Sequence, residues 1–201
     1  YVNDELQKIG GEDSLTLTTT GTLPGGMTLT ELPLTVKKGD RIYVEFYSTD
    51  KDAQRQAWIN EYSATYTKIE ETPAEPEDLV GKTLAADPAA WGTQNNNGWY
   101  YMYKLTDGTY HEMNFYDGTD EVGWRQNAFA SDLSTTVEMF FINQNALFYG
   151  ENDTRPVLAF QAPESGDVTL RTQTHSTEQM HMQVYVNDEL QKIGGEDSLT
   201  L

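Results

Sequence analysis

Outside one short acidic stretch, hydrophobic and polar residues along the chain alternate in twos. In "DRIYVEFYS" (40–48), Ile42, Val44 and Phe46 fall on one side of an extended strand, with Tyr43, Glu45 and Tyr47 on the other. "GWYYMYKL", "TDGT" and "YHEMNFY" (98–116) read as a hairpin whose turn is supplied by Asp107 and Gly108. The β-branched and aromatic runs "TTVEMFFIN", "PVLAFQA", "DVTLRTQT" and "MQVYVND" predict further strands, and "AWINEYSATYTKI" a closing one. Lys38-Gly39-Asp40 and Ser165-Gly166-Asp167 mark turns just before strands. No amphipathic stretch of 3.6-residue period exceeds two turns. Many short strands between Gly and Asp turns predict an all-β chain, an antiparallel β-sandwich or jelly roll.

The exception is "IEETPAEPEDLVG" (69–81), where Pro73 and Pro76 sit among Glu70, Glu71, Glu75, Glu77 and Asp78. So little there is apolar that the segment reads as an extended, self-repelling linker. Its nine central residues, 70–78, would reach about 28 Å at about 3.1 Å per residue. A second irregularity bears on architecture: the seventeen residues "YVNDELQKIGGEDSLTL" occur at 1–17 and again, unchanged, at 185–201. Identity over that length points to tandem repeats or to recombinant design, with a unit of 184 residues, the offset between Tyr1 and Tyr185. The expected organisation is therefore a repeat cut out of register. Residues 1–69 are the back part of one sandwich, 70–78 the linker, and 79–201 the front part of the next. A permuted single module needs the duplicated element once. One copy should fill its slot, while the other frays, adds to an exposed edge, or enters a neighbouring chain as a swap.

Charge narrows the range of partners. Lys and Arg number 13 against 32 Asp and Glu, a formal net charge of −19, which repels phosphate backbones and anionic lipid surfaces. Nucleic acid is not an expected partner. An aromatic content of 11% is too high for a disordered acidic chain. The absence of cysteine removes disulfides, thiolate nucleophiles and Cys-ligated zinc. No run approaches the roughly 20 apolar residues of a membrane span, so membrane insertion is not expected.

Trp99, Tyr100, Tyr101 and Tyr103, with Trp91 and Trp124 elsewhere, are the richest chemical feature. Exposed, such rings stack on sugars or anchor a protein interface, and Trp91, Trp99, Tyr101, Tyr103 and Trp124 are the candidate ligand-binding residues. The alternative is packing: alternation sends Trp99, Tyr101 and Tyr103 into the core and leaves Tyr100, Met102 and Lys104 facing out. "FYDGTDEVGW" offers Asp117, Asp120 and Glu121 around Gly118 as calcium ligands, although the full Asp-x-Asp-x-Asp-Gly loop is missing and a solvated turn is the simpler state. Calcium is the one cofactor to consider. His111, His175 and His181 are scattered without the i, i+4 spacing of a zinc helix. No nucleophile elbow, P-loop or dinucleotide fingerprint occurs, so no enzymatic activity is expected.

At "RPVLAFQAPESGDVTLRTQT", "VYVNDELQKI", "LTVKKGDRIYVEFYST" and "AWINEYSATYT" the chain resembles a known group of modules. These are the non-catalytic β-sandwich modules strung along large surface proteins and glycan-degrading enzymes of gut clostridia. The likeness covers most of residues 99–184 and 29–68. It implies a sandwich that binds carbohydrate or acts as a spacer. Near-identical tandem copies also resemble, in architecture, the immunoglobulin-binding superantigen repeats of gut commensals. Together these imply an extracellular, non-catalytic binding repeat of a bacterial cell-surface protein. Its expected ligand is a host glycoprotein, immunoglobulin first, with a glycan as the alternative and a plain stalk third.

Overall fold

The computed structural model describes residues 19–22, 28–48, 55–69, 79–116, 123–125, 141–142, 146–149, 154–176 and 180–200. The alternation read from the sequence becomes two antiparallel sheets packed face to face. The first runs in the order β1 (Thr19–Thr22), β2 (Thr28–Val36), β13 (Gly166–His175), β4 (Arg55–Ile69), β11 (Ala146–Tyr149), β10 (Phe141–Ile142), β9 (Trp124–Arg125) and β8 (Phe115–Tyr116). Short β5 (Thr83–Ala85) also pairs with β4. The second sheet runs β15 (Glu189–Gln191), β14 (Met180–Val186), β3 (Arg41–Ser48), β12 (Arg155–Gln161), β6 (Trp99–Lys104) and β7 (Tyr110–Glu112). There β16 (Leu199–Thr200) lies beside β14. Among the described residues the helical content is one turn of 3-10 helix, Pro88–Ala90, capped by the Asp87 side chain.

Alternation decides what lies between the sheets. Leu32, Leu34, Val36, Val168 and Leu170 project from the first sheet onto Ile42, Val44, Phe46, Leu158, Phe160, Met182 and Val184 of the second, and all are buried. The predicted turns form as their residues require. Gly39 and Gly108 take φ of +90° and +88°, a region closed to most side chains. Asp107 closes the second turn by accepting from the amide and hydroxyl of Thr109. The expected closing strand, by contrast, is the longest among the described residues and an interior one: β4 has β13 on one side and β5 and β11 on the other.

The proline and glutamate segment 70–78 lies outside the described residues, but the strands on its two sides are neighbours. Ser63, Ala64 and Thr65 pair with Ala85, Leu84 and Thr83, and the Gly81 amide donates to the Tyr66 carbonyl at 2.8 Å. The described strands of 28–69 and of 79–200 thus build the same two sheets. Of the duplicated seventeen residues, the second copy fills a slot in the second sheet. Tyr185 and Val186 end β14, Asn187 at φ +52° turns the chain, and β15 pairs back on β14. Asn187 also fixes the turn against β3, donating its amide to the Arg41 carbonyl and accepting the Arg41 amide on its side chain. The first copy, 1–17, lies outside the described residues.

One glycine is required by contact. A Cβ on Gly166, where β13 passes β4, would lie 2.1 Å from the Lys68 carbonyl oxygen, a backbone atom that cannot rotate away. Gly166→Ala should destabilise the sandwich by about 1–3 kcal/mol as an overpacked site. Thermal unfolding followed by circular dichroism should show a Tm lowered by roughly 2–12 °C in a domain of this size.

Candidate functional site: the tyrosine face of the second sheet

The five aromatics expected to meet a ligand are all inside. Trp99 and Tyr101 have no exposed surface, and Trp91, Trp124 and Tyr103 are 5%, 5% and 8% exposed. They form the aromatic part of the core. Trp91 meets Tyr101 edge-on at 4.5 Å, Tyr101 stacks on Trp124 at 5.3 Å, and Trp99 packs against Tyr62 and Phe160. Trp99 Nε1 donates to the Leu84 carbonyl and Trp124 Nε1 to that of Trp91, whereas the buried Trp91 Nε1 has no hydrogen-bond partner among the described residues. Burial pushes the Tyr101 hydroxyl up to about 12. A surface platform made of these five rings is therefore corrected to a packed core, in which Trp99, Tyr101 and Tyr103 take the inward phase of β6. The calcium candidates Asp117, Asp120 and Glu121 lie outside the described residues. Among the described residues no three His, Asp or Glu converge to hold a metal ion. Each histidine instead stacks on an aromatic ring: His111 on Tyr103, His175 on Trp58 and His181 on Tyr47.

The outward phase of the second sheet presents a different constellation. Strand β3 contributes Tyr43, Glu45 and Tyr47, β6 contributes Tyr100, Met102 and Lys104, and β12 contributes Arg155, Val157 and Ala159. Tyr110 comes from β7, and Gln183 and Tyr185 from β14. Cross-strand register places them side by side: Glu45 opposite Val157, Val157 opposite Met102, and Tyr43 opposite Tyr185. Met102, Val157 and Ala159 are buried on this nominally outer face because Tyr43, Tyr100 and Tyr110 lie over them.

Glu45 is the centre of the face. It is a carboxylate with no exposed surface on the solvent side of a sheet. Burial of an unpaired charge is prohibitive, so it must be compensated. Lys104 Nζ sits 2.7 Å from Oε1, and Arg155 Nη1 3.3 Å from Oε2. The Tyr110 hydroxyl also donates to Oε1. Lys104 donates further to Tyr110 Oη at 3.1 Å, and Arg155 to Gln183 Oε1 at 3.4 Å. Burial, then the hydrogen bond and charge of Glu45, raises the Tyr110 hydroxyl far above its ordinary range, so Tyr110 remains a neutral donor. Tyr185 is raised by the same two causes, burial before the Glu45 charge.

The cations also order the rings. Lys104 lies between Tyr110 and Tyr185, 4.8 and 4.6 Å from their centroids. Arg155 covers Tyr47 at 4.4 Å, and Arg41 covers Tyr100 at 4.8 Å while pairing with Glu112 at 3.3 Å. Tyr43 stacks on Tyr110 at 3.9 Å and 12°. The tyrosines therefore interleave with cations and with each other, so at least one face of each of the five rings is occupied. Such an array loses little side-chain entropy on meeting a partner.

The other outer face is unlike it. There Arg171 bridges Glu31 and Glu61, and threonines such as Thr65 and Thr83 bond to each other. A larger cavity of about 440 Å³ lies at one end of the sandwich between Leu79, Leu84, Ala162 and Pro163, with Asn95 and Asn97 on its wall. Among the described residues its one charged lining residue, Lys38, is paired with Glu164. The tyrosine face, with convergent charge and ordered aromatics, is the stronger candidate.

Tyr43, Glu45 and Tyr47 were legible as one outward-facing set, and Tyr100 and Lys104 as outward neighbours. Arg41, Tyr110, Arg155 and Tyr185 were not singled out. Their signal is register, which joins strands distant in sequence. No family model matches the chain, and no curated protein and no solved structure shows significant similarity to it.

Proposed function

We propose that the chain is a non-catalytic recognition module that binds a protein surface through its tyrosine face. The observation that carries this reading is the array of Tyr43, Tyr47, Tyr100, Tyr110 and Tyr185 interleaved with Arg41, Lys104 and Arg155. Tyrosine and arginine are the residue types enriched at the energetic centres of protein interfaces. Rings held by neighbouring cations meet a partner already ordered.

The repeated seventeen residues support presentation in tandem on a bacterial surface, where linked sites raise avidity by roughly 10²–10⁴ over a single site. Immunoglobulin is the first host protein to test. The chain, immobilised, should retain a serum protein, and Tyr47→Ala/Tyr100→Ala should weaken that retention by at least about 30-fold, the loss of one interface hot spot. Unchanged retention by the double variant, or elution by free sugar alone, would count against this reading.

A further inference from the structure

Beside Glu45, at the edge of the tyrosine face, lies a notch of about 220 Å³ lined by Lys104, Leu105, Thr106, Gly108, Arg155 and Tyr185. In a chain with 32 acidic residues, its lining among the described residues includes two cations and no carboxylate. The wall offers an ammonium, a guanidinium, the hydroxyl of Thr106 and backbone, while the Tyr185 hydroxyl donates to Gln183 Oε1 at 3.3 Å. Lys104 has three N–H groups, and Glu45 and Tyr110 take two. The buried Glu45 fixes both cations from behind, so they are held in position before anything binds. The acid of the adjoining loop, Asp107, accepts from the amide and hydroxyl of Thr109. Glu112 is engaged by Arg41, and Asp197, which faces Tyr185, is paired with Lys192. With a water occupying about 30 Å³ in the liquid, the notch has room for a carboxylate together with bridging waters.

We infer that this notch is an oxyanion site that receives one carboxylate, the side chain of an Asp or Glu on the protein bound by the tyrosine face. The assignment to a protein carboxylate rests on the reading above; the notch as an anion site does not. Charge-assisted bonds from Lys104 and Arg155 hold the anion, and the exposed Thr106 lines the notch beside them. The strongly negative remainder of the chain repels partners that are acidic over a wide surface. Selection therefore favours a partner with a single acid in the right place.

The test uses the whole chain labelled with ¹⁵N and titrated with sodium acetate, with sodium chloride at equal ionic strength as the control. The amides of Thr106 and Gly108 should shift saturably with acetate, with a dissociation constant of about 10 mM, the range expected for one small ion. Chloride should leave them in place. Thr106→Glu puts a carboxylate on the lining of the notch without touching the Glu45 cluster. It should weaken acetate binding at least tenfold with an unchanged melting temperature, while Thr106→Gln, which removes the hydroxyl without adding charge, should weaken it by about twofold at most. Absence of saturable shifts at about 100 mM acetate, ten times that constant, would overturn the site. Equal shifts in Thr106→Glu would do the same. An acidic sugar that saturates the notch ten times more tightly than acetate would overturn the assignment to a protein carboxylate. Failure of the parent chain to retain any serum protein, with acetate binding intact, would instead count against the interface reading alone.

Discussion

Glu45→Gln should cost the sandwich about 3–5 kcal/mol, the range for breaking a buried ion pair from one side. The carboxylate has no exposed surface and holds Lys104 at 2.7 Å and Arg155 at 3.3 Å. Glutamine keeps the shape and removes the charge. Two cations then remain on a partly buried face without the anion that compensates them, and Tyr110 loses a charged acceptor for its hydroxyl. In thermal unfolding this should lower Tm by roughly 6–20 °C. Glu45→Gln/Lys104→Met removes charge from both sides and should recover part of the loss, giving a coupling of at least about 1 kcal/mol in a double-mutant cycle. A Tm for Glu45→Gln within about 2 °C of the parent would mean that the cations are satisfied by water and that the cluster is not the organising feature of this face.

Trp99→Ala should have an effect of similar size by a different cause. The indole is fully buried between the sheets, against Tyr62 and Phe160, so its removal leaves a cavity in a dense core and costs about 3–5 kcal/mol. Its Nε1 also donates to the Leu84 carbonyl at 2.8 Å and so ties β5 to the second sheet. Trp99→Phe separates the two contributions. Most of the packing returns while the bond is lost, and a residual deficit of about 1–2 kcal/mol is expected from the unsatisfied carbonyl. Denaturant unfolding, with near-ultraviolet circular dichroism for the aromatic core, distinguishes them. If Trp99→Ala and Trp99→Phe were equally stable, the indole would not be the packing centre described here.

The phase of the strands was legible because it is local. Within 42–47 and 99–104 every second residue carries the same kind of side chain, and the structure puts Ile42, Val44, Phe46, Trp99, Tyr101 and Tyr103 inside. The Asp107-Gly108 turn was legible for the same reason: both its special backbone angle and its hydrogen bonds are made by residues next to each other. The Glu45 cluster was not, since a glutamate between two tyrosines on the outward phase reads as solvated. It is buried only because Lys104 and Arg155, 59 and 110 residues away in the chain, are brought over it by the pairing of β3, β12 and β6. Trp91 and Trp124 lie 33 residues apart and meet through an indole donor and a backbone carbonyl, which no periodicity reports.

The same wide pairing governs how the chain must be made. Strand β3 leaves the ribosome long before β12, whose Arg155 follows Glu45 by 110 residues. At about 5–20 residues per second that is a wait of about 5–20 seconds during which an aromatic strand has no ladder to join. Where identical units follow one another, the first suitable partner to emerge can belong to the wrong unit. Synthesis order, more than final stability, then decides which neighbours end up interlocked.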